Sequence, residues 1–112
     1  MEEQKSETQP QATQTTATRI VVYGKHDYIL QNTETLLNRA NYETTGFLEE
    51  WEVEDHIRMN PVDGLLIGGG VEPHDRQKIV EFVKTEFPAI RIIEHFGGPA
   101  TILPEVNKAF GK

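Results

Sequence analysis

From Arg19 onward, short aliphatic runs alternate with amphipathic stretches, and the alternation recurs four times. Ile20-Val21-Val22-Tyr23, ended by Gly24, is a continuous apolar run of the kind buried on both faces of a parallel sheet, and it predicts a first strand, β1, over 19–23. Asp27 has the chemistry of a helix N-cap, and from it to Asn41 the residues Leu30, Thr33, Leu36, Leu37 and Ala40 recur at helical spacing, predicting α1 over 27–41. The stretch 42–48 has strand composition interrupted by Gly46 and predicts an edge strand, β2. Residues 49–59 read as a short acidic helix, α2, anchored by Trp51, Val53 and Ile57 and closed by Asn60-Pro61.

The second half repeats the rhythm. Gly64-Leu65-Leu66-Ile67 predicts a buried strand, β3, running into the loop Gly68-Gly69-Gly70, and Pro73 stands where a helix starts. That helix, α3 over 73–87, carries Ile79, Val80, Val83 and Phe87 on one face and is stopped by Pro88. Ile90, Ile92 and Ile93 predict β4, Gly97-Gly98-Pro99 a turn, and 100–110 a last helix, α4, with Leu103, Val106 and Phe110 inward. Strands alternating with helices imply parallel strands joined by right-handed crossovers. The expected architecture is a flavodoxin-like α/β sandwich of three layers, with a four-stranded sheet in the order 2-1-3-4. β2 and β4 are then the edges, and an uncovered edge invites pairing with another chain, which leaves a homodimer open beside coverage by helices or loops.

Residues 1–18 (MEEQKSETQPQATQTTAT) are rich in Gln, Thr and Glu and have no aliphatic anchor beyond Met1, so ordering them would cost entropy with no burial to offset it. They read as a disordered polar tail before a single domain over 19–112, all that 112 residues have room for. The absence of cysteine removes disulfides, thiolate metal sites and a cysteine nucleophile. No signal-like apolar stretch follows Met1 and no run of 18 apolar residues occurs, so a cytoplasmic protein away from membranes is expected. A net charge of -7 argues against nonspecific nucleic-acid binding, which rests on basic residues neutralising phosphates.

Over Asp63 to Ile93, the order Asp-Gly-Leu-Leu-Ile-Gly, a helix ending in Phe-Pro, and Ile-Arg-Ile-Ile resembles the receiver domain of response regulators. The resemblance implies a doubly wound fold and a role in signalling. It also implies a set of chemical groups: an aspartate phosphoacceptor ending β3, an acid pair after β1 that holds magnesium, a Ser or Thr after β4 and a lysine after a fifth strand. The acceptor position here reads Gly68, the positions after β1 read Gly24 and Lys25, and the position after β4 reads Glu94 or His95. Asp27 and Asp75 lie near that edge without following β3 directly, and the fifth strand with its lysine is expected to be missing. The resemblance therefore extends to a shortened pseudo-receiver without phosphotransfer.

Open parallel sheets bind ligands beyond the carboxyl ends of their strands, where strand order reverses, here between β1 and β3. The loops facing that point supply Lys25, His26, Gly68, Gly69, Gly70, Gly97 and Gly98 as candidate ligand-binding residues. Three of the four histidines, His26, His74 and His95, follow β1, β3 and β4, with Asp27, Glu72, Asp75 and Glu94 close by, and imidazoles with carboxylates are ligands for zinc or a similar divalent ion. No paired-histidine spacing supports that set, and solvated or hydrogen-bonded rings are the commoner outcome. The glycine loops present backbone N-H groups as for an anion, yet neither a dinucleotide nor a P-loop fingerprint is present, and Glu72 and Asp75 oppose phosphate. Thr101 and Tyr28 are site hydroxyls or structural caps, His56 is structural, and Trp51, Phe47 and Tyr42 form either an exposed aromatic patch or a cover for the sheet.

The leading expectation is a noncatalytic signalling or protein-interaction module with an unidentified protein partner, no enzymatic activity and no cofactor. The alternative is a small-ligand or divalent-metal-binding protein that uses the carboxyl edge.

Overall fold

The computed structural model describes residues 17–112, so nearly all of the proposed polar tail lies outside the described residues. Thr18, assigned by sequence to that tail, already belongs to the sheet, paired with Tyr42. The strands are β1 (Thr18–Tyr23), β2 (Tyr42–Phe47), β3 (Gly64–Ile67) and β4 (Arg91–Glu94), all parallel, in the order β2-β1-β3-β4. This is the expected topology. The register places Tyr23 opposite both Phe47 and Ile67, and Ile67 opposite Glu94, so the four strands finish together at one carboxyl edge.

The helices are α1 (Asp27–Arg39), α2 (Glu50–Met59), α3 (Pro73–Glu86) and α4 (Ile102–Ala109), the last entered through a 3-10 turn at Pro99–Thr101. None of the described helices is long and apolar enough to cross a membrane. The N-cap of α1 is His26 in extended backbone, one residue before the expected Asp27, whose carboxylate instead sits in the positive first turn of the helix. The helix ends two residues early because Asn41 takes a left-handed conformation (φ 72°), which turns the chain into β2 and which asparagine tolerates better than most residues.

Alternation along the strands divides the core into two layers. Val21, Tyr23, Leu65 and Ile67 face α2 and α3, where Val53/Ile57 and Ile79/Val83 make i,i+4 stripes. Ile20, Val22, Leu66 and Ile93 face α1 and α4, where Leu30, Leu37, Ile102 and Val106 cover them. Each such buried side chain contributes about 1.5–3 kcal/mol of transfer free energy against the entropy of ordering the chain. In α4 the inward residues include Ile102 with Val106, and the expected Leu103 and Phe110 are only partly buried.

The expected Trp51 anchor is corrected: Val53 and Ile57 are buried, while Trp51 is 63% exposed. Each residue turns an α-helix by about 100°, so two positions before Val53 points away from the sheet. The proposed aromatic patch does not assemble either. Phe47 packs on the His56 ring at 5.2 Å between centroids, and Tyr42 lies in the opposite layer, donating its hydroxyl to Asn107 Oδ1 at 2.5 Å.

After β4 the chain crosses to the α1 side of the sheet. There Arg91 donates to the Ala109 carbonyl, and the Lys112 ammonium lies 4.6 Å from the Tyr42 ring centroid. Ala17 and Lys112 border the same shallow depression beside Tyr42, at the amino end of β1.

Candidate functional site

At the carboxyl edge, α1 and α4 leave a cavity of about 660 Å³, within the range of small-molecule sites. Val22 and Leu66 of the sheet form its floor, and Leu30 and Leu36 of α1 and Ile102 of α4 form apolar walls. Its polar boundary includes Lys25, His26, Asn32, His95 and the two glycine loops, so Lys25, His26, Gly68, Gly69, Gly70, Gly97 and Gly98 all border the one cavity.

Two buried polar side chains line this cavity, Thr33 and His95, each 5% exposed; of the two, His95 is the titratable one. Its backbone N-H donates to the Ile67 carbonyl at 2.9 Å, extending the sheet pattern by one residue. Strand alternation therefore sends its ring to the same side as Ile93, toward α1 and α4. Its Nδ1 lies 2.8 Å from Glu105 Oε1, on the first turn of α4. A carboxylate only accepts, so the proton of this contact belongs to Nδ1, and the neutral ring keeps the lone pair on Nε2. No partner reaches Nε2 among the described residues.

The other side of the edge is built differently. Arg76, on α3, is 7% exposed; its guanidinium donates to the Gly68 carbonyl at 2.7 Å and to Glu94 Oε1 at 3.3 Å, and lies 4.3 Å from the Phe96 ring centroid. Lys25 is likewise engaged, donating from Nζ to the Leu48 carbonyl at 2.9 Å. Tyr23, at the end of β1, has its hydroxyl pKa pushed up from 10.0 to about 12, first by burial and then by the negative field of Asp75, Glu50, Glu49 and Glu54. Glu54 in turn is raised by burial and by its hydrogen bond with Glu50. The α2/α3 side of the edge is thus acidic around Tyr23, whereas the α1/α4 side is apolar with imidazoles.

The three candidate metal histidines do not converge. His26 and His95 line the cavity, but His74 is an exposed residue in the first turn of α3. It precedes the inward-facing Arg76 by two positions, which turns it outward. Among the described residues no group of three His, Asp or Glu side chains is arranged to hold a metal ion. The glycine loop after β3 has no left-handed residue, and its smallness serves close approach: a Cβ on Gly70 would stand 3.3 Å from the His26 ring. An anion at the helix N-termini would meet Asp27 on α1, and Glu72 with Asp75 on α3. Thr101 donates its hydroxyl to the Gly98 carbonyl at 3.2 Å, and Tyr28 is exposed at the rim.

Two site residues escaped the sequence reading. Arg76 stands three residues before Ile79 and seven before Val83, on the inward stripe of α3, and a charge on such a stripe signals a buried, paired cation. Glu105 carried no comparable signal, because its partnership with His95 depends on where α4 crosses the sheet.

No family model and no curated protein sequence matches the chain. Among solved structures it is similar to a response regulator from Thermotoga maritima, with 13% identity over 84% of this chain and 79% of that one and a TM-score of 0.65. It is also similar to the signal receiver domain of an HD domain-containing protein from Pseudomonas fluorescens Pf-5 (17% identity, 88% and 73% covered, TM-score 0.65). A third similar structure is the isolated REC domain of RcsB from Salmonella enterica serovar Typhimurium in the apo form (16% identity, 83% and 71% covered, TM-score 0.61). Likeness at this identity speaks to architecture alone, and together with the strand order it shows that this chain has the flavodoxin-like α/β fold of response-regulator receivers.

Proposed function

We propose that this domain is a noncatalytic signalling or protein-interaction module, a pseudo-receiver that works without phosphoryl transfer. The observation that supports this reading is the arrangement at the end of β3. A phosphoacceptor is a carboxylate set beside acids that hold a hard divalent cation with oxygen ligands. Gly68 offers only a backbone carbonyl, and that carbonyl accepts from the buried guanidinium of Arg76. Gly24 and Lys25 follow β1, and Lys25 is turned toward Leu48. A module of this kind acts through its surfaces, by binding a protein partner or by pairing the edges of β2 or β4 with a second copy.

The test is incubation of the full chain with acetyl phosphate and magnesium, read by intact-protein mass spectrometry. No phosphoryl adduct is expected. An adduct that maps to Asp27 or Asp75 overturns the reading.

A second reading, small-ligand binding at the carboxyl edge, is favoured by the cavity itself: an apolar space of about 660 Å³ with one buried imidazole. The two readings are compatible, since a molecule held between α1 and α4 would set the spacing of the helices a partner sees. Within this reading an organic ligand suits the walls better than a divalent metal, because His26 and His95 alone make an incomplete ligand set.

A further inference from the structure

We propose that the His95–Glu105 pair is the polar anchor of the cavity, and that the molecule it takes is a small, largely apolar compound carrying one hydroxyl. The inference rests on the small-ligand reading and adds the chemistry of the ligand. Glu105 lies 2.8 Å from Nδ1 and accepts its proton, so in the neutral form of the ring Nε2 is an acceptor and the matching ligand group is a donor. The ring is buried, so a group that bonds Nε2 does so out of bulk water, where a hydrogen bond discriminates strongly between a ligand that has the donor and one that lacks it.

The remaining boundary selects against charge. The walls from Val22, Leu30, Leu36, Leu66 and Ile102 are aliphatic and match an apolar body. Lys25, the lining cation, is drawn toward the Leu48 carbonyl, and the Asp27 carboxylate in the first turn of α1 opposes an anionic ligand there. Thr33, another lining hydroxyl, already donates to the Ile29 carbonyl at 2.9 Å. Of these two buried polar side chains on the lining, Thr33 is tied to its own helix, whereas His95 has in Nε2 an atom that makes no hydrogen bond to a described residue.

The experiment is an NMR titration of the ¹⁵N-labelled full chain with two matched pairs of probes, toluene with p-cresol and naphthalene with 2-naphthol. Within each pair the molecules differ by one hydroxyl. The hydroxylated member is expected to shift the amides of Leu30, Leu66, His95 and Ile102, to move the His95 Nε2 resonance, and to bind at least about tenfold more tightly than its hydrocarbon. His95→Phe keeps a flat ring in place, and in this variant the tenfold preference is expected to vanish while the hydrocarbon still binds, which shows the cavity to be intact. Equal binding of hydroxyl and hydrocarbon by the unmodified chain overturns the anchor and leaves the small-ligand reading standing. If no probe shifts the cavity amides, the small-ligand reading falls, and the anchor with it.

Discussion

The guanidinium of Arg76 donates to the carbonyl of Gly68 across 2.7 Å, so the loop that leaves β3 is bound by a buried cation. The same guanidinium reaches β4 through Glu94 Oε1 at 3.3 Å. The edge is therefore cross-braced from α3.

Removing that brace leaves the Glu94 carboxylate without its guanidinium donor and the Gly68 carbonyl with the Val71 N-H alone. Arg76→Ala is expected to destabilise the domain by about 2–3 kcal/mol, measured by urea unfolding. A loss below about 0.5 kcal/mol would class the contact with ordinary surface pairs.

Gly46 sits where β2 passes beneath α1. A Cβ there would stand 2.7 Å from both Cγ and Cδ1 of Leu30 and 3.2 Å from Glu34 Cδ, and the Gly46 N-H already donates to Glu34 Oε2 at 2.6 Å. Because Leu30 is buried, Gly46→Ala is expected to cost about 1–3 kcal/mol. It should also shift the NMR signals of Leu30, a cavity wall, and an unperturbed Leu30 would count against the steric argument.

Trp51 and Val53 offer a direct contrast on one helix. Trp51→Ala is expected to change stability by less than about 0.5 kcal/mol, while Val53→Ala, which opens a void in the core, is expected to cost about 2 kcal/mol. Equal effects in denaturant titrations would contradict the exposure of the indole.

Tyr23 makes the fold sensitive to alkali. Its folded pKa of about 12 exceeds the ordinary 10.0, so the neutral phenol is the form the fold favours. The stabilisation is complete below pH 10 and is lost as pH rises from there through 12. Burial raises Tyr42 in the same direction. Unfolding free energies measured across this window should fall in the native chain and fall less steeply in Tyr23→Phe. Identical slopes would remove Tyr23 as a source.

Much of the fold was legible because its signals are local. The runs Ile20–Tyr23 and Gly64–Ile67, the breaks at Gly24 and Pro88, and the helical stripes of α1 and α3 each fix one element, and their alternation fixes strand order. What stayed hidden depends on rotation or on distant contacts. Trp51 and His74 were misplaced by helical phase: each lies two positions from an inward residue, and composition alone does not say which residue that is. Arg76 was legible in principle, because a charge interrupts its apolar stripe. Glu105 was not, because nothing near α4 in sequence announces that its carboxylate meets a ring at the end of β4. Topology points to this edge, while the contacts there join different elements: Arg76 with Gly68 and Glu94, and His95 with Glu105.

Ala17 and Lys112 border one depression at the amino end of the sheet, whereas the cavity opens at the carboxyl end. A host protein's surface loop spliced to positions 17 and 112 would therefore need little length to span them. Grafted through that point, the domain would hold its carboxyl edge outward, ready to report on whatever fills it.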